Sequence, residues 1–190
     1  MASRRFGPQD SDTSTAILDA TERVLRTRGY AAATSRNVAE EAGIKQGLVY
    51  YYYRTMDDLL LAAFQRRTRQ WIERLTEQVA SKHPVQAIWE DLSKRVDGRI
   101  VFEFVALANH HDGIREEARH FLSEARRLQT AAIREVAEAN GVDLAPASAS
   151  SLAFILYAST LVMARESLIG VTESHADVLA LFETIVGKLN

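Results

Sequence analysis

Four consecutive tyrosines, Tyr50 to Tyr53, are the residues of this 190-residue chain whose type and spacing point most directly to chemistry. A tyrosine hydroxyl can donate and accept a hydrogen bond, and its stiff ring loses little conformational entropy when it holds a partner. Successive residues of a helix lie about 100° apart, so four tyrosines in a row face nearly every side of a helix. At least two of them must therefore stand at a surface, where their hydroxyls are available for binding.

Two short helices joined at a glycine are predicted to present this tyrosine run. Thr34 or Ser35 is a suitable N-cap for a helix over 35–42, and a second helix is predicted over 46–52, after the turn at Gly43. Polar and aromatic groups exposed on the second of two such helices are typical of a helix-turn-helix.

A longer helix is predicted on each side of this pair. The first covers about 14–29, and the other begins near Thr55, whose side chain is a suitable cap. This order of elements, over roughly Ala16 to Leu61, resembles the TetR family of bacterial transcription regulators. The resemblance implies a homodimer that binds palindromic double-stranded DNA through its N-terminal domains. It also implies that the DNA is released when a small-molecule effector enters the C-terminal domain.

The resemblance gives the four tyrosines different roles. Tyr50 and Tyr52 are expected to donate hydrogen bonds to phosphates, and Tyr51 is expected to face bases or sugar. Tyr53 is expected to pack inside with Val49. The alternative is that these rings only hold the small domain together.

Base recognition is expected from polar residues at the starts of the two short helices. Arg36 and Gln46 match family positions that often reach the major groove, where arginine can bond bidentately to guanine and glutamine to adenine. Lys45 is expected to contact either a base or only a phosphate, and Leu48 either touches a thymine methyl group or lies at the edge. The alternative for the three polar residues is a solvated surface. The full predicted DNA-binding set is Ser35, Arg36, Lys45, Gln46, Gly47, Leu48, Tyr50, Tyr51 and Tyr52.

Met56 departs from the family, which usually has a lysine at this position to neutralise a phosphate. We expect DNA binding that is weaker and less dependent on salt. Arg54 is a candidate to compensate, as are Arg4 and Arg5 in an N-terminal arm, although an arm without a role is the alternative. Residues 1–54 carry a net charge of only +2. A helical protein-interaction module that has lost DNA binding is therefore the alternative function.

The composition argues against several other classes of protein. The chain has no cysteine, which leaves no disulfide or thiolate zinc site and fits a reducing cytoplasm, and no signal peptide is recognised after Met1. Adjacent His110 and His111 point about 100° apart on a helix, so we expect no metal ion. No nucleophile–base spacing or phosphate-binding loop is found, so we expect neither an enzyme nor a cofactor.

The whole chain is predicted to be all-α, with about nine helices. The predicted domains are a flexible arm over 1–13, a helix-turn-helix domain over 14–60, and a ligand-binding and dimerisation domain over 61–190. The remaining helices are predicted from Thr55 to Ser81, over 85–97, 99–111 and 114–139, from Pro146 near the first turn to Ile169, and from a Thr172 or Ser174 cap to the end.

A run without any charged residue extends from Leu144 to Ala164. Serines interrupt the run and alanines dilute its hydrophobicity, whereas a membrane span needs about 20 predominantly apolar residues. We therefore expect protein to cover this run on more than one side. One subunit cannot bury this run and the apolar final helix together. The two helices therefore predict a dimer with a four-helix interface.

Aromatic residues in the predicted fifth to eighth helices are expected to fill a core or to line an effector cavity. Arg165 is either an anchor for an acidic effector, a partner in an ion pair at the dimer interface, or a solvated helix end. The predicted ligand-binding set is Trp89, Phe102, Phe104, Phe121, Phe154, Tyr157 and Arg165.

Overall fold

The computed structural model describes residues 11–189, which form nine α-helices and no β-strand, so the all-α prediction is confirmed for this part of the chain. A 3-10 turn at Tyr30–Ala32 follows the first helix. The helices are α1 (Asp12–Arg28), α2 (Ser35–Ala42), α3 (Gln46–Tyr52), α4 (Met56–Val79), α5 (Pro84–Arg95), α6 (Gly98–Ala108), α7 (Asp112–Ala139), α8 (Ala149–Ser167) and α9 (His175–Leu189).

The two short helices begin and end at the predicted residues because their signals are local. The Thr34 side chain accepts a hydrogen bond of 3.2 Å from the backbone N–H of Asn37, which caps α2. Gly43 ends α2 in the left-handed conformation, with φ 67° and ψ 29°, which few residues other than glycine adopt without strain. The chain then turns directly into α3.

Two predicted helix starts are corrected. Pro146 does not lie in the first turn of α8, because Ser148 and Ser151 form a reciprocal capping box and the helix begins at Ala149. Ser11 caps α1, so Asp12 and Thr13, which the sequence assigned to the arm, enter the first helix. Residues 1–10, with Arg4 and Arg5, lie outside the described residues.

The first of two packing units contains the described residues up to Thr68 together with Phe102–Glu117. Its core holds side chains from α1 to α4 and from the segment Phe102–Glu117. The ring centroids of Phe64 and Phe104 are 4.7 Å apart, and the Glu103 carboxylate accepts a 2.8 Å hydrogen bond from the backbone N–H of Tyr30. The boundaries of these packing units differ from the predicted boundary near residue 60 between the DNA-binding domain and the ligand-binding domain. That domain boundary stays a prediction.

The second unit contains Arg69–Val101 and Ala118–Leu189 among the described residues. Helices α5, α8 and α9 pack around a core in which the ring centroids of Trp89 and Phe182 lie 5.2 Å apart. Across residues 11–189, none of the helices has both the length and the apolar character needed to cross a membrane.

Candidate nucleic-acid interface

Buried polar contacts fix α1, α3 and α4 in the first unit. The hydroxyls of Ser14 and Tyr53 lie 2.8 Å apart in the interior, and burial raises the pKa of Tyr53. Arg66 on α4 forms ion pairs of 2.7 Å with Asp19 and 2.6 Å with Glu22, both on α1. Burial alone lowers the pKa of Arg66, but its hydrogen bonds to these carboxylates outweigh burial and leave that pKa raised.

The four tyrosines divide between the core and the surface of this unit. Tyr50 and Tyr51 are 49% and 45% exposed, so the expected surface pair is present. Tyr52 is half-buried and its ring meets that of Tyr51 edge to face, with 5.2 Å between centroids. Tyr53 is buried together with Val49, as predicted.

A chain of hydrogen bonds connects α2 to α3 below this surface. The Gln46 side-chain amide donates to the Ser35 hydroxyl over 2.8 Å, and that hydroxyl donates to the Tyr50 hydroxyl over 3.1 Å. Ser35 is only 6% exposed, so it lies beneath the surface that Tyr50 and Gln46 present. Because the Tyr50 oxygen accepts from Ser35, its own O–H remains available to donate outward.

The other predicted DNA-binding residues are exposed around this chain of hydrogen bonds. Arg36 lies on the outside of α2, Lys45 and Gly47 lie at the start of α3, and Leu48 follows on the same short helix. A surface with cationic, amide and phenolic donors beside one apolar side chain can hydrogen-bond phosphates and base edges. The structure therefore brings the predicted set together on α2 and α3, with Ser35 as the buried member.

The start of α4 follows α3 closely in the sequence. Thr55 and Asp58 form a reciprocal cap, in which each side chain accepts a 3.0 Å hydrogen bond from the other residue's backbone N–H. Met56, in the first turn, is half-buried, and Arg54 is exposed. The cap holds the helix start, but it supplies no cation where the family usually has a lysine.

The predicted ligand-binding residues are dispersed. Trp89 is buried against Phe182, and Phe121 meets Trp71 edge to face at 5.2 Å, whereas Phe154 is 60% exposed and Arg165 is exposed. Phe102 and Phe104 belong to the first unit, and the other five belong to the second. A surface cleft of about 350 Å³ is lined by none of these residues but by Arg134, Ala137, Glu138, Gly141, Val142, Asp143 and Leu144.

His111 is engaged by its neighbours in the first unit. Its ring meets that of Tyr30 at 6.2 Å between centroids, and its Nδ1 lies 3.5 Å from an Asp57 carboxylate oxygen. Within residues 11–189, no three His, Asp or Glu side chains are grouped closely enough to hold a metal ion.

Sequence reasoning did not identify the polar residues that support the site from a distance in the chain. Ser14, Arg66 and Glu103 act through partners 39, 44 and 73 positions away, and no local pattern indicates such contacts. Gln129 in α7 is different, because it lies in a buried stripe with Ala125, Ala132 and Ile133. A polar residue inside an apolar helical stripe is a signal that the sequence does carry.

Two short helices joined by a left-handed glycine, the second exposing phenols beside a cation and an amide, define a helix-turn-helix protein. Residues 17–63 match the family described as bacterial regulatory proteins, tetR family. The match covers the helix-turn-helix segment, from α1 into the first part of α4, and this segment is similar to that family.

Two curated relatives come from Bacillus subtilis (strain 168). The fatty acid metabolism regulator protein is 32% identical over 66 residues, which are 35% of this chain and 34% of the relative. The HTH-type transcriptional regulator PksA is 29% identical over 124 residues, 56% of this chain and 60% of the relative. The chain thus spans about a third and about three-fifths of these two relatives.

A solved structure extends the likeness in fold to nearly the whole chain. The transcriptional regulator FadR from Bacillus subtilis, solved with stearoyl-CoA, superposes with a TM-score of 0.61 at 18% identity and covers 93% of this chain and 97% of FadR. At this identity the likeness concerns the fold.

Proposed function

We propose that this protein is a transcriptional repressor that binds a palindromic operator as a homodimer in the cytoplasm and is released by a small-molecule effector. The observation that carries the DNA-binding part is the hydrogen-bonded chain of Gln46, Ser35 and Tyr50 beneath an exposed α3. It orients two outward-facing side chains on one short helix before any ligand is present. Regulators of this family are typically not enzymes, which agrees with this reading.

Phosphate and base contacts are divided between these two side chains. Tyr50 donates its hydroxyl hydrogen to a phosphate, which positions α3 without reading sequence. Gln46 commits one amide N–H to Ser35 and retains a carbonyl oxygen and a second N–H, the pair that matches the major-groove edge of adenine. Arg36 adds a cation on α2 that can reach guanine.

Exposed apolar side chains of the second unit support the homodimer. Phe154, Ile155 and Val162 on α8 and Leu181 on α9 are each exposed by about half or more. Covering such a patch is favourable by about 25 cal/mol per Å² of apolar surface removed from water. A second copy is the proposed cover, because a two-fold axis brings the same two helices of both copies together as a four-helix interface.

Release by a small molecule is supported by the likeness in fold to FadR, which was solved with stearoyl-CoA. The identity of that ligand belongs to FadR. For this chain we propose an effector that binds the second unit and favours a state with lower affinity for DNA.

An electrophoretic mobility shift with the DNA upstream of its own gene tests the proposal. We expect a discrete complex that weakens as salt rises, and Gln46→Ala should reduce the preference for this DNA over unrelated sequence by about 1–3 kcal/mol. Gln65→Ala, at an exposed glutamine of α4 that hydrogen-bonds Glu117, is the matched control. Absence of any complex at low salt would favour the protein-interaction module instead.

A further inference from the structure

Three polar side chains of α7 end in buried atoms that have no hydrogen-bond partner. They are Arg126 Nη1, Gln129 Nε2 and Thr130 Oγ1. Gln129 is only 2% exposed. A buried donor without a partner costs about 1–3 kcal/mol, more when it is charged, so three on one helix require a physical reason.

The three residues share one side of α7. Their spacing of i, i+3 and i+4 places them next to one another over one helical turn. All three orphaned atoms can donate a hydrogen bond, and the guanidinium adds a positive charge. The cluster therefore presents three atoms that can donate a hydrogen bond and that meet no acceptor.

The positive charge in this cluster is not balanced by a carboxylate. Within residues 11–189 Arg126 forms no ion pair, and burial lowers its pKa. Its guanidinium carbon instead lies 4.7 Å from the centre of the Phe154 ring. Burial raises the pKa of the Tyr157 phenol, and the positive charge of Arg126 offsets part of that rise. The Arg126 cation thus lies against the Phe154 ring of α8, and no carboxylate among residues 11–189 pairs with it.

We propose that Arg126, Gln129 and Thr130 bind the carboxylate of a small acid whose apolar body packs among the aromatic side chains of the second unit. Two carboxylate oxygens offer about four acceptor positions, enough for all three donors, and a bond to a guanidinium is strengthened by charge. This inference rests on the proposed function, because the acid is the effector. It replaces Arg165 with Arg126 as the anchor for the acidic group.

A carboxylate from a second copy is the competing source of an anion. The three unpartnered atoms each expose less than 1 Å² to solvent, so a subunit that docks on the surface leaves them unreached. An acid reaches them when side chains between α7 and α8 move apart, as in pockets that a ligand opens. The position of the atoms therefore favours a small molecule.

Isothermal titration calorimetry on the full chain, with decanoate and 4-phenylbutanoate as aliphatic and aromatic probes, tests the inference. At least one acid should bind the unaltered protein and bind Arg126→Met roughly tenfold to a hundredfold more weakly, the loss of one charge-assisted hydrogen bond. Decan-1-ol and decyltrimethylammonium, which lack the carboxylate, should not bind Arg126→Met more weakly than they bind the unaltered protein. Arg127→Met, at an exposed neighbour paired with Glu124, should leave acid affinity unchanged.

Thermal unfolding separates ligand binding from a structural role. Removing an unbalanced buried charge should leave the unfolding midpoint of Arg126→Met equal or higher, and Gln129→Leu should behave in the same way. If both variants unfold at markedly lower temperature, the cluster is structural and the inference is overturned. Arg126→Lys keeps the charge but not the planar fork, so it should bind the acid with intermediate affinity.

Other results would also contradict the inference. Failure of both acids to bind the unaltered protein overturns it, as does equal acid affinity in Arg126→Met. A change in dimerisation without a change in acid affinity would assign Arg126 to the subunit interface. Mobility shift measured in parallel keeps the proposed function separate: acid binding without DNA binding overturns only the regulator, and DNA binding without acid binding overturns only this inference.

Discussion

The hydroxyl of Ser35 connects two side chains to which the sequence assigned separate roles. It accepts from Gln46 and donates to Tyr50, so the three groups polarise one another in series. The candidate phosphate contact and the candidate base contact are therefore coupled through one buried atom. In the proposed interface, Ser35 would therefore position Gln46 and Tyr50 and would not itself contact DNA.

Replacing Tyr50 with phenylalanine removes the outward phenol and leaves the ring. We expect DNA binding to weaken by about 1–2 kcal/mol on operator and unrelated DNA alike, because a phosphate hydrogen bond carries no sequence information. Mobility shift at several salt concentrations measures the effect. Tyr30→Phe, at an exposed tyrosine outside α3, is the control. Unchanged affinity of Tyr50→Phe at every salt concentration would remove Tyr50 from the interface.

Met56→Lys restores the cation that the family usually has at the start of α4. One additional phosphate contact per subunit should tighten binding at low salt and steepen the slope of log affinity against log salt by about 0.9 per contact. Met56→Gln, which is similar in length but uncharged, should leave that slope unchanged. A slope that is the same for the lysine and glutamine variants would place position 56 away from the phosphates.

At the scale of the element, helices set by neighbouring residues were predictable and those set by distant contacts were not. The Thr34 cap and the left-handed Gly43 fix α2 within ten residues of chain, and both are visible as sequence signals. The start of α8 was missed because Ser148 and Ser151 cap the helix after Pro146. Equally, no periodicity indicates that the segment containing Glu103 packs with α1, since such packing depends on contacts far apart in the chain.

The turn between α2 and α3 provides a matched pair of glycine substitutions. A Cβ at Gly43 or Gly47 would meet no atom within 4 Å, so only backbone conformation distinguishes the two. Gly43→Ala should destabilise the protein by about 1–2 kcal/mol, because its φ is +67°. Gly47→Ala, inside α3, should stabilise it by about 0.5–1 kcal/mol. Urea unfolding measures both, and effects of the same sign would contradict the assigned conformation of Gly43.

At the scale of the molecule, the exposed apolar residues of α8 and α9 predict the oligomeric state. Sedimentation should find a dimer at micromolar concentration, and Ile155→Glu should shift it to monomer because a carboxylate would be buried without a partner. Val105→Glu changes a similarly exposed apolar residue of the first unit and should leave the dimer intact. A stable monomer in the unaltered protein would rule out the proposed interface.

If the proposed function holds, effector and DNA influence each other's binding reciprocally. If an acid lowers the affinity for operator DNA by some factor, saturating operator must lower the affinity for the acid by the same factor, and coupling of about 1–3 kcal/mol is usual. Acid titration with and without operator measures the change in acid affinity, and mobility shift with and without acid measures the change in DNA affinity. Equal acid affinity in the two titrations would show that the acid is not the releasing ligand.

The first packing unit is assembled from two stretches of chain, which restricts how proteins of this fold can be recombined. Exchanging only residues 14–60 between two such proteins would separate Tyr30 from the Glu103 carboxylate that holds its backbone. A junction after Thr68 would still divide Phe64 from the Phe104 ring against which it packs. A chimera with new operator specificity therefore has to carry residues 102–117 along with the helix-turn-helix, as two inserts chosen together.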